Sequence, residues 1–181
     1  MPPQDYWDSF FEAEQVLDAL CIDESTCNVL EFGCGYGTFT LPAARRISGT
    51  VTALDLDPAM LHATRLNAQN AGLDNIECKL RDFCADGSGI SDGGVDYVML
   101  FNILHLDDPV SLLQEARRNL GHGGLLGIIH WIHDDETPRG PPLDIRPKPQ
   151  KCRDWGIEAG FSPRGETIEL PPYHYGLVMT R

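Results

Sequence analysis

Residues 28–37 read NVLEFGCGYG. Val29, Leu30 and Phe32 form a short apolar run broken by one acid, Glu31, and the run passes directly into Gly33, Gly35 and Gly37. An amphipathic segment, 38–47, follows at once. A buried strand, a glycine turn and a helix start within twenty residues make the unit by which an open α/β sheet offers bare backbone to a nucleotide-like ligand. The spacing is G-x-G-x-G; the dinucleotide fingerprint G-x-G-x-x-G would need glycine at position 38, which is Thr38. A tight turn alone accounts for one glycine at positive φ more readily than for three.

Downstream, strand and helix patterns alternate. Residues 50–55 (TVTALD) read as a second strand, and Asp57-Pro58 opens a helix that runs to Ala71 and stops at Gly72. Residues 75–80 and 95–101 (VDYVMLF) give a third and fourth strand, Asp108-Pro109 opens another helix, 121–124 ends it, and 125–132 gives a fifth strand. This alternation predicts a doubly wound parallel sheet with right-handed crossovers. Residues 150–160 then read as a helix, and 164–169 and 173–180 as two strands too close for a parallel crossover, hence an antiparallel pair at a sheet edge. Ahead of the first strand, residues 1–8 read as a loose arm. Ser9 to Glu12 fits a capping box opening a helix to Leu20. Residues 133–149 carry five prolines and read as a long loop.

The chain of 181 residues fits one domain, 1–181, with 1–22 an N-terminal arm and helix. Acidic residues outnumber basic ones 27 to 14, a net charge of −13 that repels phosphate backbones and argues against nucleic acid as the partner. Six scattered cysteines form no CxxC and no zinc-spaced cluster, so they read as reduced, mostly buried thiols with no metal site. No signal or membrane-spanning run is present, and the expected location is the cytoplasm.

Asp55 ends the second strand, where an acid in a nucleotide-binding sheet accepts both ribose hydroxyls. Arg81-Asp82-Phe83 ends the third; Asp82 suits an exocyclic amine and Phe83 the face of a ring, although an Arg81–Asp82 surface ion pair explains the acids equally well. EFGCGYG, TALDLDPAML, RDF and VDYVMLFNILHL together resemble the motifs of class I S-adenosylmethionine-dependent methyltransferases over residues 28–132. The resemblance implies a seven-stranded mixed sheet of order 3-2-1-4-5-7-6 with the last strand antiparallel and helices on both faces. It implies S-adenosylmethionine as cofactor, its methionine end held by Glu31 and the Gly33–Cys34–Gly35 backbone, its ribose by Asp55. Leu56 would flank the adenine, Asp82 would meet its amine with Phe83 nearby, and Phe101 and Asn102 would lie near the methyl donor.

Methyl transfer from a sulfonium needs alignment and exclusion of water, and a base only where the acceptor must lose a proton. His105, just past the fourth strand, is the candidate base, with packing in the loop an equally weighted role; His130 reads as core, and His62, His122 and His174 as helix-face, turn and loop residues. Trp131, Arg139 and Arg146 are candidates for the acceptor pocket, the arginines for a carboxylate or phosphate, although pairing with Asp134, Asp135 and Glu136 accounts for them as well. Tyr6 and Trp7, with Phe10 and Phe11, read as core contacts or as a lid over a ligand. The function these readings converge on is methylation of a small-molecule acceptor. A protein or other macromolecular acceptor, and a non-catalytic cofactor-binding subunit, stand as alternatives; a nicotinamide oxidoreductase is disfavoured by the glycine spacing.

Overall fold

A computed structural model describes residues 2–181; Met1 lies outside them. The chain forms α1 (Gln4–Asp8), α2 (Ala13–Ala19), β1 (Val29–Phe32), α3 (Thr40–Arg46), β2 (Val51–Asp55), α4 (Pro58–Asn70) and β3 (Ile76–Leu80). It continues through β4 (Val95–Phe101), α5 (Pro109–Asn119), β5 (Leu120–Trp131), α6 (Pro149–Glu158), β6 (Ser162–Leu170) and β7 (His174–Thr180). All seven strands join one sheet of order β3-β2-β1-β4-β5-β7-β6. Strands β1 to β5 run parallel to one another, and β7 enters antiparallel between β5 and β6. The chain order reverses between β1 and β4, so the switch point of the sheet lies at the carboxyl end of NVLEF.

Strand β4 shows why the sheet needs cover on both faces. Its residues Val98 and Leu100 join one core cluster with Leu112, Leu113 and Leu126, while Tyr97, Met99 and Phe101 join the other with Leu17, Phe39 and Ala43. Side chains alternate across a strand, and each fully buried one of this size stabilises by roughly 1.5–3 kcal/mol. The two Asp-Pro starts form as the spacing predicts: Asp57 accepts from the Ala59 N–H and Asp108 from the Ser111 N–H, each with proline in the first turn.

Four local expectations are corrected. The Ser9–Glu12 capping box does not form. The Ser9 hydroxyl donates instead to the Tyr6 carbonyl, closing α1, and α2 starts after Glu12 without a side-chain cap. Residues 4–8, expected as loose arm, are helical because the arm is tied down: the Tyr36 hydroxyl donates to the Pro2 carbonyl and the Thr38 hydroxyl to Asp8. The 121–124 glycine run does not precede β5 but lies within it; Val95 pairs with Leu120 and Tyr97 with Leu125, so the glycines bulge out between paired positions. Of the six free cysteines, only Cys34 and Cys152 are buried, while Cys21, Cys27 and Cys84 are exposed.

Candidate functional site

At the switch point all three glycines adopt positive φ: Gly33 at 76°, Gly35 at 56° and Gly37 at 84°. The turn therefore uses every glycine, and Gly37 serves packing as well. A Cβ there would lie 2.6 Å from the Leu41 side chain and 3.1 Å from that of Thr64, so α3 and α4 close on the turn only because it has none. The backbone is fixed from below, since the Gly33 and Cys34 N–H groups both donate to the Leu54 carbonyl, at 2.8 and 3.0 Å. Asp55 fixes it from the side. One carboxylate oxygen accepts from the Gly35 N–H at 2.9 Å and the other from the Asp57 N–H at 2.9 Å. Each oxygen keeps a further lone pair for a ligand. Cys34 points inward, its thiol pushed up by burial and 3.7 Å from the Thr64 hydroxyl.

Glu31 is only 2% exposed, in the middle of an apolar strand. The Thr40 hydroxyl, on the first turn of α3, donates to it and is its one hydrogen-bond partner among the described residues. Burial, reinforced by the nearby charge of Asp55, raises its carboxyl from 4.5 to about 8. A buried acid with no cation beside it favours the neutral form until a cation arrives.

Beyond the glycine turn, Leu56 is 62% exposed, free to flank a flat ligand. Asp82 accepts from the Ala85 N–H, at the start of a turn, and makes no ion pair with Arg81, whose guanidinium donates to the Asp86 and Gly87 carbonyls. Phe83 packs edge-on against Phe32, ring centroids 5.2 Å apart, and lines a hollow of about 470 Å³ with Leu106 and Asp107. Phe101 is buried beside Phe39. Asn102 holds a left-handed backbone at φ 59°, its N–H donating to the Ile129 carbonyl, and both polar atoms of its buried amide lack partners. A non-glycine residue in that region, with an unsatisfied amide, is the kind of strain that concentrates at binding sites.

His105 and His130 meet where β4 and β5 end. His105 Nδ1 and both ring nitrogens of His130 are buried without partners, and the two rings lie 5.6 Å apart. Burial lowers His105 below 6.5 and His130 to about 3, so both rings are neutral at pH 7. His130 is core, as its place within β5 predicts. His174, read from sequence as a loop residue, lies in β7, 4% exposed, its ring tilted against that of Trp131 with centroids 4.2 Å apart.

Trp131 is buried under the N-terminal segment, its ring 5.4 Å from Phe10 and 6.3 Å from Trp7; Tyr6 stays 45% exposed at the edge of that cluster. Arg146 does not present its guanidinium to a ligand. It is 7% exposed and donates to the carbonyls of Ile132, Asp134, Arg139 and Pro141 and to the Thr137 hydroxyl. It is the internal scaffold of the 133–149 loop, and it forms no ion pair with Asp134, Asp135 or Glu136. Arg139 is exposed and contributes its carbonyl to that scaffold. The sequence reading missed this hub, because nothing in a proline-rich stretch signals which carbonyls will converge.

Residues 29–124 match the family model described as Methyltransferase domain. Aklanonic acid methyltransferase DauC of Streptomyces sp. (strain C5) is 34% identical over 146 residues, 74% of this chain and 66% of that protein. Ribosomal protein L11 methyltransferase of Dechloromonas aromatica (strain RCB) is 43% identical over 144 residues, 76% of this chain and 44% of that protein. The chain thus spans about two thirds of one relative and less than half of the other. The crystal structure of a SAM-dependent methyltransferase from Aquifex aeolicus superposes with a TM-score of 0.85 at 23% identity, over 98% of this chain and 93% of that one. A geranyl diphosphate methyltransferase in complex with SAM gives 0.77 at 15% identity over 94% and 84%. These last two likenesses show the fold; the match across 29–124 shows the family, and the chain belongs to the class I S-adenosylmethionine-dependent methyltransferases.

Proposed function

We propose that the protein methylates a small-molecule acceptor, with S-adenosylmethionine as donor. The observation that carries this reading is Glu31: a buried carboxyl raised to about 8, two residues before a turn of bare glycine backbone, with no cation beside it among the described residues. A cofactor with an ammonium and no phosphates fits that donor set, whereas a dinucleotide pyrophosphate would meet an acid. Glu31 and the Gly33–Cys34–Gly35 backbone would hold the amino-acid end, Asp55 the ribose, Leu56, Asp82 and Phe83 the adenine, and Phe101 and Asn102 the methyl-bearing end. When bound, the cofactor supplies an activated methyl on a neutral leaving group, transferred in line to the acceptor with the bonding pair returning to sulfur.

The chain's own part is to align, to keep water out and to take a proton. Strand ends β1 and β4 flank the switch point and hold the two partners in one line. Neutral His105, on the turn after β4, is placed to accept the proton an acceptor hydroxyl or amine loses. The protein name carried by the 43% identical relative favours a second reading, a polypeptide acceptor.

Calorimetry tests the core of the proposal: S-adenosylhomocysteine is expected to bind and NAD is not. Binding of NAD alone would overturn it. Methyl transfer from labelled donor to a metabolite extract, against a ribosomal protein fraction, separates the two acceptor readings.

A further inference from the structure

The turn after β4, the loop that Arg146 scaffolds and the start of α6 enclose a hollow of about 550 Å³ with His105 in its wall. The size is that of a small-molecule site. Its walls are mostly apolar: Leu104, Leu106, Leu143, Ile145 and Trp155. The charge around it departs from the rest of the molecule. The chain carries 27 acids and only three lysines, yet two of those, Lys148 and Lys151, line this hollow. Asp107 and Asp144 line it too, but neither lysine forms an ion pair among the described residues. Lys148 occupies the N-cap position of α6 and Lys151 sits in its first turn, which holds no acid. Positive charge at a helix N-terminus opposes the helix dipole, and an anion there offsets both.

The rim is also held in place. The Tyr175 hydroxyl donates to the Pro147 carbonyl at 2.9 Å, the neighbouring Arg146 donates to the Pro141 carbonyl at 2.7 Å, and Lys151 Nζ rests 5.2 Å from the centre of the Trp155 ring. A site whose groups are positioned in advance loses less freedom on binding.

We propose that this hollow is where the methyl acceptor sits, and that it takes a small, largely apolar organic acid, its carboxylate at Lys148 and Lys151 and its reacting end at His105. This deepens the methyltransferase reading and rests on it. In the transfer the acceptor atom gains the bond to the methyl carbon, sulfur keeps the electron pair, and the acceptor's proton passes to His105.

The test uses 2-naphthoate and neutral 2-naphthamide as probes, titrated into the protein with and without S-adenosylhomocysteine, at low salt. The acid is expected to bind at least tenfold more tightly than the amide. Replacing both rim lysines (Lys148→Gln with Lys151→Gln) should abolish that preference, with amide binding, S-adenosylhomocysteine binding and the unfolding temperature unchanged. Equal affinities for acid and amide, no binding of the acid, or a preference that survives the double substitution would each overturn the proposal. Failure of S-adenosylhomocysteine to bind the unaltered protein strikes instead at the methyltransferase reading.

Discussion

Replacing Glu31 with glutamine separates what the residue does for binding from what it costs the fold. In the folded chain its carboxyl stands at about 8, above the ordinary 4.5. The neutral acid is therefore favoured by folding. Its contribution is full below pH 4.5 and is lost as pH rises through 8. A gap of that size corresponds to about 4–5 kcal/mol by pH 9. Glutamine cannot ionise and keeps the shape and the Thr40 contact. Native and Glu31→Gln proteins should thus have similar stability at pH 5 and diverge with pH, the variant becoming more stable at pH 9 by several kcal/mol, on the order of 10 °C in unfolding temperature. Other carboxylates titrate in both proteins and cancel in the difference. The same substitution should weaken S-adenosylhomocysteine binding about ten- to a hundredfold, because a charge-assisted hydrogen bond to the ammonium becomes a neutral one. Urea titrations at pH 5, 7 and 9 with calorimetry of the ligand read both quantities. Parallel stability curves across that range would refute the buried-acid argument. Unchanged affinity would refute the ammonium partner.

Three further outcomes follow from the same geometry. Asp55→Ala should weaken donor binding by one to two orders of magnitude and loosen the glycine turn, since one carboxylate oxygen already holds the Gly35 N–H; calorimetry together with hydrogen exchange at 33–37 reads both effects. His105→Asn should lower kcat by roughly a hundredfold or more and leave donor affinity unaltered; in the unaltered protein the rate should rise with pH along a base titration displaced to the acid side of an ordinary histidine, because burial favours the neutral ring, and a rate indifferent to both substitution and pH would remove the base. Arg146→Lys should destabilise the protein by about 2–4 kcal/mol, since an ammonium with three donors cannot serve the carbonyls of Ile132, Asp134, Arg139 and Pro141 and the Thr137 hydroxyl together, and limited proteolysis should then cut within 133–149.

The parts of the fold that repeat were legible, and the parts that converge were not. Mainly apolar runs such as Val29–Phe32 and Val95–Phe101 form strands with the predicted bounds, because a parallel strand covered on both faces is apolar at nearly every position. Asp57 and Asp108 announce their helices because the cap is a local hydrogen bond. The place of β7 between β5 and β6 came from family likeness; spacing alone implied only an antiparallel pair at an edge. The Ser9–Glu12 box failed because the Ser9 hydroxyl found the Tyr6 carbonyl of a helix held by Tyr36 and Thr38, thirty residues away in sequence. Residues 121–124 read as a stop signal, yet the sheet absorbs them as a bulge, a choice made by the register of β4. For the candidate site, the glycines and Asp55 were visible by position, whereas the unpartnered nitrogens of His105 and His130 depend on which strands meet.

The buried acid Glu31 and the buried guanidinium of Arg146 show how burial alone misleads and how partners discriminate. Arg146 is buried and charged, in a loop beside a hollow, and its residue type suits an anion. Its donors are nonetheless taken by carbonyls of its own loop, so removing it would leave those carbonyls unsatisfied. Glu31 is equally buried and has one hydroxyl. A carboxylate offers about four acceptor sites, and an apolar strand supplies no others. The desolvation of Arg146 is thus offset by those carbonyls, whereas Glu31 stays neutral until a donor from outside the chain arrives. Lys148 and Lys151 are a third case: both are exposed, water serves them without cost, and their role at the rim rests on the acceptor proposed above.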